Sequence, residues 1–228
     1  MGTRPVPSAI DLRDHALVTA AFARQWWDAS LETFFPNRFM GLLCLQHPFD
    51  AWITQELIFE TRPEVVIECG SLGGGSAVMW ASYLETYADA PRVVAIDIED
   101  RMHQAREVPI WDRCITFLHG SSTDPDIVAQ AAALAEGRRT MVILDSLHTE
   151  PHVTAELAAY AGLVSPGCYL IVQDGFVNGH PCEDDWGPGP LEALEAFLAV
   201  DDRFEVDRSR ERMMFTLNPS GFLRRRVD

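Results

Sequence analysis

Residues 64–76 read EVVIECGSLGGGS, and this stretch decides the fold. Its β-branched run is typical of a buried strand, and the glycine-rich turn after it leads into an apolar segment with helical spacing at 76–87. A strand, a tight glycine turn and a helix in that order are typical of an open parallel sheet. The segment therefore predicts an α/β protein with a ligand site at the turn.

The same alternation continues outward from this unit to the C-terminus. Further strands are predicted at 92–97, 114–118, 140–145 and 168–174, and further helices at 126–136, 151–163 and 190–199. Two closing strands, at 204–207 and 213–217, have little between them and predict a hairpin. We therefore expect a Rossmann-like domain over residues 61–228, with a mostly parallel seven-stranded sheet, helices on both faces and an antiparallel edge strand.

Residues 1–60 form a separate, helical and aromatic-rich segment in this prediction. A helix is expected over 11–33, and the aromatic side chains crowd its end and the residues that follow, at Trp26, Trp27, Phe34, Phe35 and Phe39. Two interpretations stay open. The aromatic residues pack against the main domain, or they form a lid or an oligomer contact, from which we expect a homo-oligomer.

Composition excludes several classes of partner. The chain has 228 residues and a formal net charge of −16, and its one basic cluster, Arg224, Arg225 and Arg226, fits a solvated tail, so we expect no nucleic-acid partner. No apolar run is long enough to cross a membrane and the N-terminus has no apolar signal region, so we expect a cytoplasmic protein. The five cysteines show no metal-binding spacing and fit reduced thiols.

The glycine turn does not match a dinucleotide or P-loop motif in any register. An acidic residue before it, Glu68, would repel a diphosphate but suits a ligand that carries an ammonium group. S-adenosylmethionine carries both an ammonium and a sulfonium. We therefore predict that Glu68 and the turn residues bind S-adenosylmethionine, with contacts from Gly70, Ser71, Gly75 and Ser76.

Four predicted strands end in an acidic residue, namely Glu68, Asp97, Asp145 and Asp174. Ligands of open parallel sheets bind at the carboxyl ends of the strands, so these side chains are expected at one edge. Asp97 is placed to accept hydrogen bonds from the ribose hydroxyls of the cofactor. The predicted cofactor contacts also include Asp145, and the neighbouring residues Ile98, Ser121 and Ser122.

A second centre is predicted where Asp145 and His148 follow one strand and Gln173 and Asp174 follow the next. Oxygen ligands from adjacent strand ends suit Mg²⁺, which makes a bound hydroxyl more acidic. Asp145 and His148 are both candidates for the catalytic base. Alternatively, His148 caps the next helix or pairs with His152, four residues on.

These segments together resemble the cephalosporin hydroxylase family, a branch of the class I methyltransferases. The resemblance spans about residues 38–225. It includes the segment Gln46-x-Pro48-x-Asp50 and continues through 65–77 (VVIECGSLGGGSA), and it is closest at 142–157 (VILDSLHTEPHVTAEL) and 165–175 (SPGCYLIVQDG). It implies a class I methyltransferase fold, S-adenosylmethionine binding and a Mg²⁺ centre at Asp145, Gln173 and Asp174. The family usually has Glu where this chain has Gln173, which removes one negative charge from the centre.

The predicted function is Mg²⁺-assisted O-methyl transfer from S-adenosylmethionine to a hydroxyl of a small sugar-containing or polyketide-type natural product. One alternative is a non-haem iron hydroxylase with His148, Glu150 and His180 as its ligands. Another is a non-catalytic subunit that holds S-adenosylmethionine or a partner enzyme of an antibiotic-tailoring system.

Overall fold

The computed structural model describes residues 14–227 and is built around one mixed sheet. Along the chain its strands are β3 (Val65–Cys69), β4 (Arg92–Asp97), β5 (Ile115–His119), β6 (Thr140–Leu144), β7 (Tyr169–Val172), β8 (Phe204–Val206) and β9 (Phe222–Arg225). A small hairpin of β1 (Arg38–Phe39) and β2 (Leu42–Leu43) precedes them.

The seven strands lie in the order β5-β4-β3-β6-β7-β9-β8. The first five in this order run parallel, and β9 is antiparallel to both β7 and β8. The predicted Rossmann-like sheet with an antiparallel strand is thereby confirmed. The antiparallel strand lies next to the edge strand β8.

Helices cover both faces of the sheet. The described α-helices are α1 (His15–Asp28), α2 (Ser30–Thr33), α3 (Pro48–Thr61), α4 (Gly75–Leu84), α5 (Ile110–Cys114), α6 (Pro125–Ala135), α7 (Glu150–Tyr160) and α8 (Pro190–Leu198). Proline stands in the first turn of α3, α6, α7 and α8, where the missing N–H costs no hydrogen bond.

Alternating strand residues form two hydrophobic cores. One core lies under α3, α4 and α5, where Val66 and Ile143 of the sheet meet Trp80. The other lies under α6, α7 and α8 and includes Val65 and Val142. Because both faces are buried, the central strands are almost entirely apolar, with Glu68 of β3 and Thr140 of β6 as buried polar exceptions, and that is why the strands read as nearly continuous apolar runs.

The prediction of a strand at 213–217 is wrong. That segment is irregular, and the last strand is β9. The segment 213–217 is held by Asp50 of α3. The Leu217 N–H donates to Asp50 Oδ2 at 2.8 Å, and the Thr216 hydroxyl donates to Asp50 Oδ1 at 2.5 Å. A distant carboxylate thus replaces the strand partner that the apolar pattern suggested.

The N-terminal aromatic residues pack on the main domain. Trp26 contacts Phe34, His47 and Phe215 edge-on, with ring centroids 4.7–5.7 Å apart. Trp27 packs on Phe176, whose ring centroid is 4.6 Å away. These contacts support the packing interpretation for the aromatic cluster. The start of the predicted helix, at 11–13, lies outside the described residues, and the division of the chain at residue 60 stays a prediction.

No helix within residues 14–227 combines the length and the apolar character that a membrane span requires.

Replacing Asp50 by alanine is expected to lower the free energy of unfolding by about 2–3 kcal/mol, because it strands the buried Leu217 N–H and the Thr216 hydroxyl. Urea denaturation monitored by circular dichroism measures the change. Asp112→Ala, an exposed aspartate on α5, is the matched control and should change stability by less than about 0.5 kcal/mol. Equal stability of the two variants would contradict the role given to Asp50.

Candidate active site

The carboxyl edge of the sheet brings the predicted acidic residues together in space. Neighbouring strands β4, β3, β6 and β7 end there, so Asp97, Glu68, Asp145 and Asp174 follow one another along the edge. This is the position at which open parallel sheets bind their ligands. The strand order alone therefore assembles the candidate site.

The glycine turn after β3 touches the backbone of the loop after β6. Gly70 has a φ of +87°, and a Cβ atom there would lie 1.9 Å from the carbonyl oxygen of Asp145. Only glycine combines this conformation with so close an approach. The turn and the Asp145 loop are consequently held in direct contact.

Glu68 lies beneath the turn, completely buried. Its carboxylate accepts hydrogen bonds from the Ser71 hydroxyl and the Trp80 indole N–H, both at 2.6 Å, and interacts with the Ser76 hydroxyl. Burial raises the pKa of Glu68, and the hydrogen bonds partly oppose the rise. The oxygens of Glu68 are therefore occupied by the turn and by helix α4, whose first residue is Gly75.

Asp97 supports the turn from the side. Its Oδ2 accepts the Leu72 N–H at 2.8 Å and its Oδ1 accepts the Glu99 N–H at 2.9 Å. The next residue, Ile98, is 68% exposed. An exposed apolar side chain beside a carboxylate at this edge offers both a surface for a flat base and acceptors for hydroxyl groups.

The turn after β5 has two serines with different surroundings. The Ser121 hydroxyl is 2.9 Å from that of Thr123. Ser122 is buried, and its hydroxyl donates to Glu156 Oε1 at 2.5 Å. Its carbonyl oxygen accepts the Tyr160 hydroxyl at 2.7 Å. The side chain of Ser122 is thus directed into the protein.

Glu156 also reaches the loop after β6. The Ser146 hydroxyl donates to Glu156 Oε1 at 2.6 Å, and His152 Nε2 lies 3.0 Å from the same hydroxyl. His152 is therefore part of this buried cluster. The alternative that it pairs with His148 as a metal site has no support in the described structure.

His148 lies between two carboxylates. Its Nε2 atom is 3.0 Å from Asp174 Oδ2 and 4.0 Å from Asp145 Oδ1. Burial raises the pKa of Asp145, and the adjacent Asp174 carboxylate adds to the rise; burial also raises the pKa of Asp174, although His148 opposes it. Two carboxylates held this close favour a cation or a proton between them.

An amide pair covers the other side of Asp145. Gln46 Nε2 donates to Asp145 Oδ2 at 2.9 Å and to Gln173 Oε1 at 3.0 Å, while Gln173 Nε2 donates to Gln46 Oε1 at 2.8 Å. With the Gln173 amide rotated by 180°, its nitrogen would donate to Asp145 Oδ2 at 2.6 Å, but Gln46 would have to rotate with it. Either arrangement leaves one amide oxygen facing the Asp145 carboxylate.

Two acceptor oxygens in such contact repel each other unless a positive centre lies beside them. Ligand atoms of Asp145, His148 and Asp174 also lie within 4.8 Å of one another. An amide oxygen and two carboxylates are the oxygen donors that Mg²⁺ prefers. The residues present therefore fit a divalent cation, with two formal negative charges where a third carboxylate would supply three.

The iron site considered from the sequence is not assembled in residues 14–227. His180 Nε2 instead lies 2.9 Å from Glu192 Oε1, and neither His180 nor Glu150 joins the cluster around His148. A facial triad needs its ligands around one point. The geometry argues against the hydroxylase alternative.

The chain also matches a known protein family. The family model described as Rhamnosyl O-methyltransferase/CmcI matches residues 32–226. The chain belongs to this family. The rhamnosyl O-methyltransferase of Mycobacterium bovis (strain BCG / Pasteur 1173P2) is 35% identical over 203 residues, which are 87% of this chain and 82% of that protein. The protein of the same name from Mycobacterium leprae (strain TN) is 35% identical over 191 residues, 82% of each chain.

Solved structures agree on the fold. A structure of CmcI with Mg and SAM has a TM-score of 0.62 and 20% identity, and the match covers all of this chain and 88% of that one. The class I methyltransferase fold predicted from the sequence is confirmed. Membership of the rhamnosyl O-methyltransferase/CmcI family also confirms the predicted class of enzyme, an O-methyltransferase.

Sequence reasoning missed the part that Gln46 plays. The segment Gln46-x-Pro48-x-Asp50 is part of the family resemblance, but no side-chain role follows from the segment itself. Gln46 is separated from Asp145 by 99 positions. The available signal was a glutamine two residues before Pro48, where α3 begins, and that signal does not identify Asp145 and Gln173 as its partners.

Glu192 holds the loop 175–189 that borders the site. Its carboxylate accepts from the Gly189 N–H at 2.7 Å, from Asn178 Nδ2 at 2.7 Å and contacts His180 Nε2 at 2.9 Å. Burial pushes the pKa of Glu192 upward, but these hydrogen bonds outweigh it and lower the pKa to about 2.

A carboxylate with a depressed pKa stabilises the fold above its ordinary pKa, and the contribution is lost as the pH falls toward the folded value. The stability difference between wild type and Glu192→Gln should therefore be constant above about pH 5 and shrink between about pH 4.5 and pH 2. Urea unfolding at a series of pH values measures it. Glu195→Gln, exposed on the same helix, should show no such pH dependence; an equal dependence would contradict the assignment to Glu192.

Proposed function

We propose that this O-methyltransferase transfers a methyl group from S-adenosylmethionine to a hydroxyl of a rhamnose-type sugar on a small natural product, with a divalent cation in the site. The observation that carries the proposal is the cluster of Asp145, His148 and Asp174 in contact with the glycine turn at Gly70. These residues would supply a base and cation ligands beside the turn at which class I folds bind their nucleotide. The names of the relatives support the sugar as acceptor.

The cofactor contacts are assigned to the groups that remain accessible. Asp97 accepts from the ribose hydroxyls, Ile98 packs on the adenine, and Ser121 lies at its edge. The backbone of the glycine turn from Gly70 onward follows the methionine part. S-adenosylmethionine, when bound, supplies the methyl group on a positively charged sulfur.

Glu68 and Ser122 receive a different role from direct contact. Both are buried, and their side-chain oxygens are engaged by protein groups. We assign Glu68, with Ser71 and Ser76, to holding the glycine turn in place. Ser122 is assigned to holding the turn after β5 through Glu156. Each acts on the cofactor through the backbone that it positions.

The cation ligands are assigned to Asp145, Gln173 and Asp174. Their oxygen atoms come from the ends of β6 and β7, which are adjacent and parallel. When bound there, Mg²⁺ would make an acceptor hydroxyl more acidic and orient it. Gln46 keeps the Gln173 amide in place through two hydrogen bonds, so the neutral ligand is oriented by a neutral partner.

His148 is assigned as the base that removes the acceptor proton. Its Nε2 atom lies 3.0 Å from Asp174 Oδ2, and this carboxylate stabilises the imidazolium that forms. Asp145 is the weaker candidate, because one of its oxygens already accepts from Gln46. The remaining work is positioning: the acceptor oxygen, the methyl carbon and the sulfur must lie in line.

Calorimetric titration with S-adenosylmethionine, followed by a methyl-transfer assay on rhamnosides, tests the function. We expect binding that Asp97→Asn weakens at least about tenfold, since the ribose loses a charged acceptor. His148→Gln should lower kcat by about 100-fold or more without changing cofactor binding, because it removes the base alone. Product is measured as S-adenosylhomocysteine and as methylated sugar by mass spectrometry.

Asp112→Asn, at an exposed position on α5, is the control for the loss of one carboxylate. A folded wild-type protein that binds no S-adenosylmethionine, with or without Mg²⁺, would overturn the proposal. Full kcat in His148→Gln would reassign the base to Asp145.

The neutral Gln173 should make the cation site weak. Gln173→Glu adds a third carboxylate and is expected to bind Mg²⁺ at least about tenfold more tightly, because charge attraction rises while the ligand geometry is kept. In EDTA the same variant should melt at a lower temperature than wild type, and Mg²⁺ should restore it. Calorimetry and thermal melting measure both effects.

Gln173→Leu, which has no ligand oxygen, is the matched control and should show no Mg²⁺-dependent rise in melting temperature. If Gln173→Glu binds Mg²⁺ no better than wild type, the side chain at position 173 is not a cation ligand.

A further inference from the structure

Trp186 stands out among the exposed aromatic residues because it is fixed to the loop of the proposed base. Its side chain is 47% exposed, and its indole N–H donates to the carbonyl oxygen of His148 at 2.8 Å. The same loop makes a second contact, in which the Glu150 N–H donates to the carbonyl oxygen of Pro188 at 2.9 Å. The first bond holds the ring at the His148 backbone, and the second joins the segment that follows Trp186 to the same loop.

An exposed indole presents a flat apolar face to solvent and one polar N–H. The one polar atom of the Trp186 ring is already hydrogen-bonded to His148, so what remains toward solvent is apolar ring surface. Leu147, the residue before His148, is also 55% exposed. An exposed apolar side chain thus precedes His148 in the chain, and a second one is hydrogen-bonded to the His148 backbone.

This combination matches the chemistry of a sugar ring. A pyranose presents C–H groups on its faces and hydroxyls at its rim, so it needs an apolar wall and nearby polar groups. A 6-deoxy sugar such as rhamnose adds a methyl group to the apolar part. We propose that Trp186 is the platform on which the sugar ring of the acceptor packs, so that a rim hydroxyl is directed at His148 and the cation site.

This inference rests on the proposed function, from which it takes the sugar as acceptor. Trp52 is a useful contrast to Trp186. It is 59% exposed, but it donates its indole N–H to Glu56 on its own helix, α3. Both tryptophans are exposed and hydrogen-bonded, but the indole of Trp52 is bonded within α3 and the indole of Trp186 to the loop that carries His148. Only the loss of Trp186 should therefore affect the acceptor.

Titration with methyl α-rhamnopyranoside, followed by saturation-transfer NMR in the presence of S-adenosylhomocysteine, tests the platform. Trp186→Ala should weaken rhamnoside binding at least about tenfold and raise KM for the acceptor to match, because the ring surface is lost. Trp186→Phe keeps an aromatic face and should stay within about threefold of wild type. Affinity for S-adenosylmethionine should not change in either variant.

Trp52→Ala is the matched control and should bind the rhamnoside as wild type does. Rhamnoside affinity in Trp186→Ala equal to that of wild type, or an equal loss in Trp52→Ala, overturns the platform. Wild type that binds no rhamnoside overturns the sugar as its ligand. Wild type that binds the rhamnoside, with the loss in Trp186→Ala, but transfers no methyl group overturns the proposed function and leaves the platform standing.

Discussion

The close approach of Gly70 to the carbonyl group of Asp145 is the constraint on which the rest of the site depends. It joins the turn after β3, where the cofactor is proposed to bind, to the loop after β6, which carries Asp145 and His148. Any side chain at Gly70 would push the two loops apart by more than an ångström. Methyl transfer tolerates little error in the distance between donor and acceptor, so this contact sets the geometry of the reaction.

Buried carboxylates hold the loops from below. Glu68 gathers Ser71, Ser76 and Trp80 under the glycine turn, and Glu156 gathers Ser122 and Ser146 under the turns after β5 and β6. A buried charge is expensive unless it is hydrogen-bonded, and each of these groups accepts from two or more donors. Such hydrogen bonds are directional, so they fix the position of a loop more strictly than apolar packing does.

The proposed cation site combines two carboxylates with a neutral amide. The Asp174 carboxylate adds to the rise in the pKa of Asp145, and His148 lies between the two. The third position is the neutral Gln173, whose amide is fixed by Gln46. A neutral ligand attracts a cation less strongly than a carboxylate does, while the amide pair keeps the ligand oxygen in place. The proposed site therefore binds a cation more weakly, but burying an amide costs less desolvation free energy than burying a third carboxylate.

Much of the fold was predictable because it depends on local patterns. The strand β4 was predicted with its observed bounds, and the ends of the other central strands differ from the prediction by at most two residues, as is usual where strand ends fray. The prediction failed at 213–217, where an apolar pattern suggested a strand. There Asp50, which lies more than 160 positions away in the sequence, takes the backbone N–H that a strand partner would have used.

The sequence by itself determined the sheet, the glycine turn and the row of acidic residues, because each of these follows from neighbouring residues and from the rule that parallel strands end at one edge. Tertiary structure decided which partners those residues have. It brought Gln46 to Asp145 and Gln173, paired His148 with Asp174, directed His152 to the Glu156 cluster, and set Trp186 beside the base loop. Contacts between distant parts of the chain depend on how the helices and loops pack, and local sequence patterns do not predict that packing.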